Sequence, residues 1–462
     1  MSDPASWDVG LLRRYATTET CYTSYPAPAQ FSEGVQSTDL FAALHDSGIQ
    51  RRPLSLYVHI PFCANICYYC ACTKTITKDR SRAQAYLQAL IREIELVSVH
   101  LEQGQRVERL HFGGGTPTFL GHDDLRRLMG TLRAYFNLHD DDIADYSIEI
   151  DPREADWSTI GLLRELGFNR ISIGVQDLDP EVQRAINRLQ SVEQTQAVMD
   201  AARTLAYRTV GVDLIHGLPR QTPQSFSRTL ATVIEMRPDQ LRLYSYRHLP
   251  EVFLSQRKIN PLELPGTEDC LQMQADSFAQ LMAAGYHYLG MGEFALSDTA
   301  LSNAQESGEL GRGLQGYVTA VDGDLIGLGV SAISQVGDFY CRNTSDLRLY
   351  QSHLEQDRLA LQSGLTCSTD DRLRRAVIAQ LACHHRLRFA DIEQRFRIDF
   401  CAYFADRMAL LQQMHRDGLL QLQPAGISVL PAGRPLVGSI CRLFDAYAYL
   451  PQHPQSVPAI VG

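Results

Sequence analysis

The sequence predicts an α/β protein: an open, three-quarter (β/α)6 barrel, preceded by an N-terminal arm and followed by a mostly helical domain carrying a β-hairpin. Three observations predict it. Six short apolar runs, rich in β-branched and aromatic residues, alternate with amphipathic stretches between residues 54 and 246. Strand–helix units in series imply a parallel sheet with right-handed crossovers, and six units fall short of the eight that close a full barrel. Unusual residues cluster at the ends of the runs, where such folds place their active sites.

The elements follow in order. Residues 1–50 form the arm, with helical segments near 11–15 and 39–46 and an extended YTSYP segment at 22–26. Residues 51–365 form the barrel and a C-terminal β extension. Its strands are LSLYVHI (54–60), VERLHFG (107–113), YSIEID (146–151), RISIGVQ (170–176), TVGVDLIHG (209–217) and QLRLYSY (240–246). Each is short and apolar, as a strand covered by helices is. Helices are expected near 79–102, 122–136, 156–166, 181–205 and 223–236. Residues 366–462 form the last domain, with helices near 369–386, 389–396, 402–416 and 435–448 and a hairpin in LLQLQPAGISVLP (419–431). Its shape resembles a winged helix. The segment is not strongly basic, so it reads as a packing or lid domain.

Composition bounds the function. The chain has 462 residues and a net charge of −10, with 45% hydrophobic and 21% charged residues. That is ordinary for a globular protein and argues against general nucleic-acid binding. The start, MSDPASWDVG, has no apolar signal region, and no apolar run reaches the length of a membrane span. Eleven cysteines without an export signal imply the reducing cytoplasm. A monomer is expected.

Four of the cysteines, Cys63, Cys67, Cys70 and Cys72, fall in HIPFCANICYYCAC. The first three have C-x3-C-x2-C spacing, with Tyr69 before the third. Three thiolates on one loop can hold three irons of a 4Fe–4S cluster and leave the fourth iron free for a chelating ligand. Zinc is the alternative, but structural zinc sites pair two C-x2-C halves, and no second half is present. Cys72 is either a spare ligand or a packing residue. Gly113–Thr116, after the second strand, offers bare backbone to a ligand or forms only a turn. Glu149, Gln176 and Asp213 interrupt apolar strands, and buried polar groups need partners. Each of these residues alone is as readily structural as functional; their succession at strand ends favours function.

Together these motifs resemble the radical S-adenosylmethionine (SAM) superfamily. YTSYP, YVHIPFCANICYYCAC, HFGGGTPTFL, IEIDPRE, GVQDLDPEVQRAINR, DLIHGLPRQTP, LQGY and LIGLGVSAIS resemble, more closely, the oxygen-independent coproporphyrinogen III oxidase family, over residues 11–449. The resemblance implies a 4Fe–4S cluster on Cys63, Cys67 and Cys70 and two SAM molecules. Tyr57, Gly114, Glu149 and Ile333 are expected at the first, and Tyr69, Gly115, Thr116, Gln176, Arg188 and Asp213 at the second. Gln315 is expected in the pocket, with Tyr57 and Ile333 beside the chemistry. The implied reaction turns two propionates of coproporphyrinogen III into vinyl groups through a 5′-deoxyadenosyl radical, with an unidentified electron donor and acceptor. The arm would cover the site.

The chain departs from the family pattern at Arg247, where a small residue is usual. It departs again at Gly292 and Glu293, which replace an Asp-His pair, and at Gly313 and His216. Arg247 is expected to bind a propionate and Glu293 to repel one. An altered substrate, through methyl transfer or tetrapyrrole ring opening, is the alternative; a haem carrier is a weaker one, because related chaperones lack Cys72. His384 and His385 read as exposed surface histidines.

Overall fold

The structure is a computed structural model describing residues 8–15, 24–102, 104–139, 142–314, 316–319 and 323–448. The strands β1 (Leu54–Ile60), β2 (Arg106–Gly114), β3 (Asp145–Ile150), β4 (Arg170–Gln176), β5 (Thr209–His216) and β6 (Gln240–Ser245) pair in parallel in chain order. Beyond β6 come β8 (Glu293–Leu296) and then β7 (Tyr286–Gly290), both antiparallel to their neighbours. On the other edge, β9 (Asp324–Leu328) runs parallel to β1. Antiparallel β10 (Ile333–Val336), β11 (Phe339–Asn343) and β12 (Leu361–Thr366) follow it. The path has two free ends, so the barrel is open, as expected.

Alternation along the strands sorts the residues onto two faces. Leu56, Val58, Leu110, Phe112, Ile148, Ile171, Ile173, Val212 and Leu241 face the helices and form the main core. The alternate positions, Tyr57, His59, His111, Glu149, Ser172, Asp213 and Arg242, face the lumen. The barrel is therefore apolar outside its sheet and polar inside it. This is why the strands read as apolar runs broken by single polar residues.

Three helical expectations need correction. The stretch 181–205 is two helices, Pro180–Ala185 and Val192–Thr204. Asn187 at φ 54° ends the first, and the Ser191–Gln194 capping box starts the second. The stretch 402–416 is broken by a 3-10 turn at Ala405–Arg407. The last helix is only Val437–Arg442, because Pro435 lies in the 3-10 turn before it and has no N–H to continue a helix. The hairpin of the last domain gains a third strand, Arg386–Arg388, which completes its winged shape.

Two cores divide the arm. Helix Ser37–Ile49 inserts Leu40 and Leu44 into the barrel core, whereas Leu12 belongs to the core of the last domain. Arg14 pairs with Asp417 at 3.0 Å, Tyr15 also hydrogen-bonds Asp417, and Ser439 Oγ donates to Tyr15 O at 2.6 Å. No helix among the described residues is long and apolar enough to cross a membrane.

Glu93, fully buried in helix Arg82–Ser98, ties the β extension to the barrel. Its carboxylate accepts from Gly329 N, Asn343 Nδ2 and Tyr350 OH, each at 2.6 Å. Burial raises its pKa, and the three donors oppose that rise. Each buried donor left unpaired costs about 1–3 kcal/mol, so Glu93→Ala is expected to lower unfolding stability by at least about 3 kcal/mol. Urea denaturation checks this, with Glu93→Gln expected to fall between the two.

Candidate active site

The cysteine loop leaves β1 and is pinned at both ends. Phe62–Cys63 pairs with Thr75–Ile76, and Thr75 N donates to Pro61 O at 2.6 Å. Its middle is held from two other parts of the chain. Tyr68 N donates to Ile186 O at 2.9 Å and Asn187 Nδ2 to Ile66 O at 2.7 Å. Gln256 Nε2 donates to Tyr69 O and Ser255 Oγ to Cys70 O, both at 3.0 Å. Lys74 Nζ donates to Cys70 O at 2.9 Å. The loop is thus ordered by its backbone, and its thiols are left to line a cavity.

Most of the sequence-predicted residues meet in that cavity. Cys63, Cys67, Cys70, Tyr69, Gly114, Gly115, Thr116, Glu149, Gln176, Arg188, Asp213 and Arg247 all line it, with Cys72 beside them. Tyr57 and Ile333 do not line it. The Tyr57 hydroxyl turns to His59 Nδ1 at 2.9 Å, and its ring stacks on His111 at 5.9 Å. His59 Nε2 lies 3.0 Å from Thr73 O, so Nε2 carries the proton and Nδ1 accepts from Tyr57. Ile333 lies on β10, outside the shared cavity. Gln315 lies outside the described residues. No described residue of the arm lines the cavity. A larger depression at the opposite end of the barrel, lined by Arg106, Arg109, Asp145 and Arg170, contains none of the cysteines.

The donor set fits an iron–sulfur cluster better than a single ion. Among the described residues no three His, Cys, Asp or Glu side chains converge on one point, as a zinc site requires. A cubane takes each thiolate on a separate iron, so it needs thiols spread around a space. The sulfurs are already met by donors. Thr116 Oγ1 lies 3.6 Å from Cys63 Sγ, and Arg153 Nη2 and Arg188 Nη1 lie 3.6 and 3.7 Å from Cys67 Sγ. Burial pushes the Cys63 thiol up to about 12, so a bound metal is what would deprotonate it. The Cys72 thiol hydrogen-bonds to the Cys70 sulfur and draws Cys70 down to about 6 despite its burial.

The carboxylates divide by partner. Asp151 bridges Arg153 at 2.7 Å and Arg188 at 2.9 Å. Burial alone would raise it, but the two guanidinium groups hold it well below the carboxylate range. Asp213 lies 2.8 Å from Arg242 Nε in an ion pair without hydrogen-bond alignment, and it accepts from Ser172 Oγ at 2.9 Å. Burial nonetheless holds Asp213 above its ordinary value. Among the described residues no arginine forms an ion pair with Glu149; Gly114 N and His111 Nε2 each lie 3.2 Å from it. Gln176 is strained at φ 69°, and its buried Oε1 has no partner among the described residues. That buried amide oxygen is free to accept a hydrogen bond from a group entering the cavity. The glycine loop first serves the protein. Gly114 sits at φ 112°, and a Cβ there would fall 2.5 Å from His59.

Arg242, Ser172, Asp151 and Arg153 escaped the sequence reading. Their signal was available, because each of the first three shares strand parity with Glu149 or Asp213. Two expectations need correction, the repulsion at Glu293 and the exposure of the C-terminal histidines. Glu293 is not a lone repelling charge, because it pairs with Arg312 at 2.8 Å. Gly292 sits at φ 84°, and a Cβ there would lie 2.5 Å from Leu243 O, so this backbone does not accept aspartate. His385 is buried and His384 half-buried rather than exposed, and burial lowers His385 to about 4. Gly313 has open space, and nothing in the structure requires it.

This geometry is that of a radical SAM enzyme: an open (β/α)6 barrel with a three-cysteine loop after its first strand. The chain matches the Radical SAM superfamily over residues 57–233 and the HemN C-terminal domain over residues 367–436. The chain belongs to the oxygen-independent coproporphyrinogen III oxidase family. It is 57% identical over 447 residues to the Pseudomonas aeruginosa protein of that name, covering 97% of each chain. It is 43% identical to the Escherichia coli protein, covering 96% of this chain and 95% of that one. A solved structure of Escherichia coli coproporphyrinogen III oxidase, described as a radical SAM enzyme, superposes with a TM-score of 0.91 at 42% identity. The match covers 96% of this chain and 100% of that one.

His216 supplies a pH test of the site's packing. It is buried with Nδ1 unpartnered, and burial lowers its pKa from 6.5 to about 4. Below 6.5 the unfolded chain takes up a proton that the folded chain refuses, so stability falls as pH drops from 6.5 towards 4. His216→Phe is expected to flatten that fall in thermal midpoint measured against pH.

Proposed function

We propose that this chain oxidatively decarboxylates two propionate side chains of coproporphyrinogen III to vinyl groups, giving protoporphyrinogen IX without oxygen. Each propionate loses CO2, one β-hydrogen and one further electron to an acceptor. The observation that carries the reading is the cavity. It brings three cysteines, a glycine loop and unsatisfied polar groups together in a chain 57% identical to a curated enzyme of that name. When bound, the cluster and SAM supply the one-electron cleavage that yields the 5′-deoxyadenosyl radical.

The chain's own residues hold and orient. Cys63, Cys67 and Cys70 would ligate three irons. Glu149, which lacks an internal arginine, would accept the ammonium of the cluster-bound SAM, with Gly114 beside it. Two SAM molecules are part of the proposal. The second would lie against Tyr69, Gly115, Thr116, Gln176, Arg188 and Asp213, where the Gln176 oxygen and Arg188 Nε are buried without partners. Tyr57 and Ile333 would bound the reacting region from outside the shared cavity, and Gln315 would contact the substrate. Arg247 lines the cavity without a carboxylate partner among the described residues, and it would bind a propionate. Residues 51–365 would carry the chemistry, with residues 1–50 covering it and residues 366–462 packing against it.

Anaerobic turnover tests the function. Reconstituted protein with SAM, a reductant and coproporphyrinogen III is expected to yield protoporphyrinogen IX, and 5′-deoxyadenosine without vinyl product would defeat the proposal. Single Ala substitutions of Cys63, Cys67 and Cys70 are expected to abolish the iron-dependent visible absorbance and SAM cleavage. Cys72→Ala is expected to keep the cluster absorbance. The reverse pattern would show that the ligands are misassigned.

A further inference from the structure

The lumen accounts for most of its arginines. Arg153 and Arg188 share Asp151, Arg242 pairs with Asp213, and Arg312 pairs with Glu293. Arg342 on β11 is different. Its Nε is buried without a partner, and no described carboxylate pairs with it. Burial lowers its guanidinium from the ordinary value, with no opposing charge. Ser363 Oγ, on the register partner of Arg342, is also buried without a partner.

The register places this pair on the lumen face. Gly327 of β9 pairs with Tyr57, and a Cβ on Gly327 would fall 2.3 Å from Ile333 O. Ile333 pairs with Arg342, and Arg342 with Ser363. Register partners project to the same face of a sheet. Ile333, Arg342 and Ser363 therefore share one rung, and the backbone of Ile333 closes over Gly327 on the face that Gly327 shares with Tyr57. The opposite face of β11 is closed, because Cys341 is buried in the main core.

We propose that Arg342 is a substrate-positioning residue that binds a side-chain carboxylate of the tetrapyrrole, with Ser363 completing the contact. This rests on the substrate reading above. A half-buried guanidinium whose buried Nε has no partner among the described residues gains a charge-assisted hydrogen bond when a carboxylate from outside meets it. Arg342 lies beyond Ile333 from β1, so it would fix the far edge of a substrate whose near edge meets the cavity.

The test uses the full chain with its cluster reconstituted. Binding of coproporphyrin III, an oxidised analogue that is not turned over, is measured by fluorescence, and KM is measured with coproporphyrinogen III. Arg342→Met is expected to weaken both by about tenfold, and Arg342→Lys to recover part of the loss. The thermal midpoint of the substrate-free Arg342→Met protein is expected to stay level or rise, and the reduced cluster's electron paramagnetic resonance signal to stay unchanged. Unchanged binding and KM in Arg342→Met would overturn the assignment, and so would a lowered midpoint, which would make Arg342 structural. Wild-type protein that neither binds coproporphyrin III nor converts coproporphyrinogen III would overturn the substrate reading itself.

Discussion

Asp151 sits between the guanidinium groups of Arg153 and Arg188, and both of those arginines also reach the sulfur of Cys67. The barrel depends on this kind of pairing. Its parallel strands bury one face against helices and turn polar residues inward, so each lumen charge must find a partner or wait for one. Asp151 lets two cations stand beside the cysteine loop without repelling each other. A cluster held by thiolates is anionic, and those cations and Lys74 would offset its charge and raise its potential.

Much of this was legible in the sequence because strand parity is simple. Apolar residues at alternate positions marked the helix-facing side, and single polar residues marked the lumen. Glu149 and Asp213 were visible for that reason. Arg242 obeys the same rule but sits in QLRLYSY, where tyrosine and serine blur the alternation. Arg153 lies after its strand and finds Asp151 only through a turn. The break between Ala185 and Val192 had a signal, the Ser191–Gln194 box, but helical periodicity on both sides concealed it. The break also has a use: it turns Arg188 inward to Asp151 and Cys67.

Two of the departures from the family pattern, Gly292 and Glu293, are accommodated together rather than independently. Glu293 stands where a histidine is usual, and Arg312 neutralises it while stacking over Tyr317 at 4.5 Å. Gly292 precedes it in a left-handed conformation that brings its backbone against Leu243. A glycine there and a paired glutamate beside it form one unit. Glycine admits the tight approach of the β7–β8 turn to β6, and the approach delivers Glu293 to Arg312. Neither side chain lines the cysteine cavity, whereas Arg247 does.

What remains after internal pairing is a sorted set of orphans. Near the cysteine loop, Glu149 is a carboxylate without an arginine, held only by Gly114 N and His111. Arg247 in the same cavity and Arg342 beyond it on β11 are cations without carboxylate partners among the described residues. An amino-acid-derived cofactor presents an ammonium, and a tetracarboxylate substrate presents anions. Unpaired charge of both signs is therefore left in the lumen, with Glu149 and Arg247 in one cavity, and each can attract the ligand group of opposite sign. Charge pairing inside the barrel thus does more than hold its walls, because the groups it leaves unpaired are the ones that a charged ligand can satisfy.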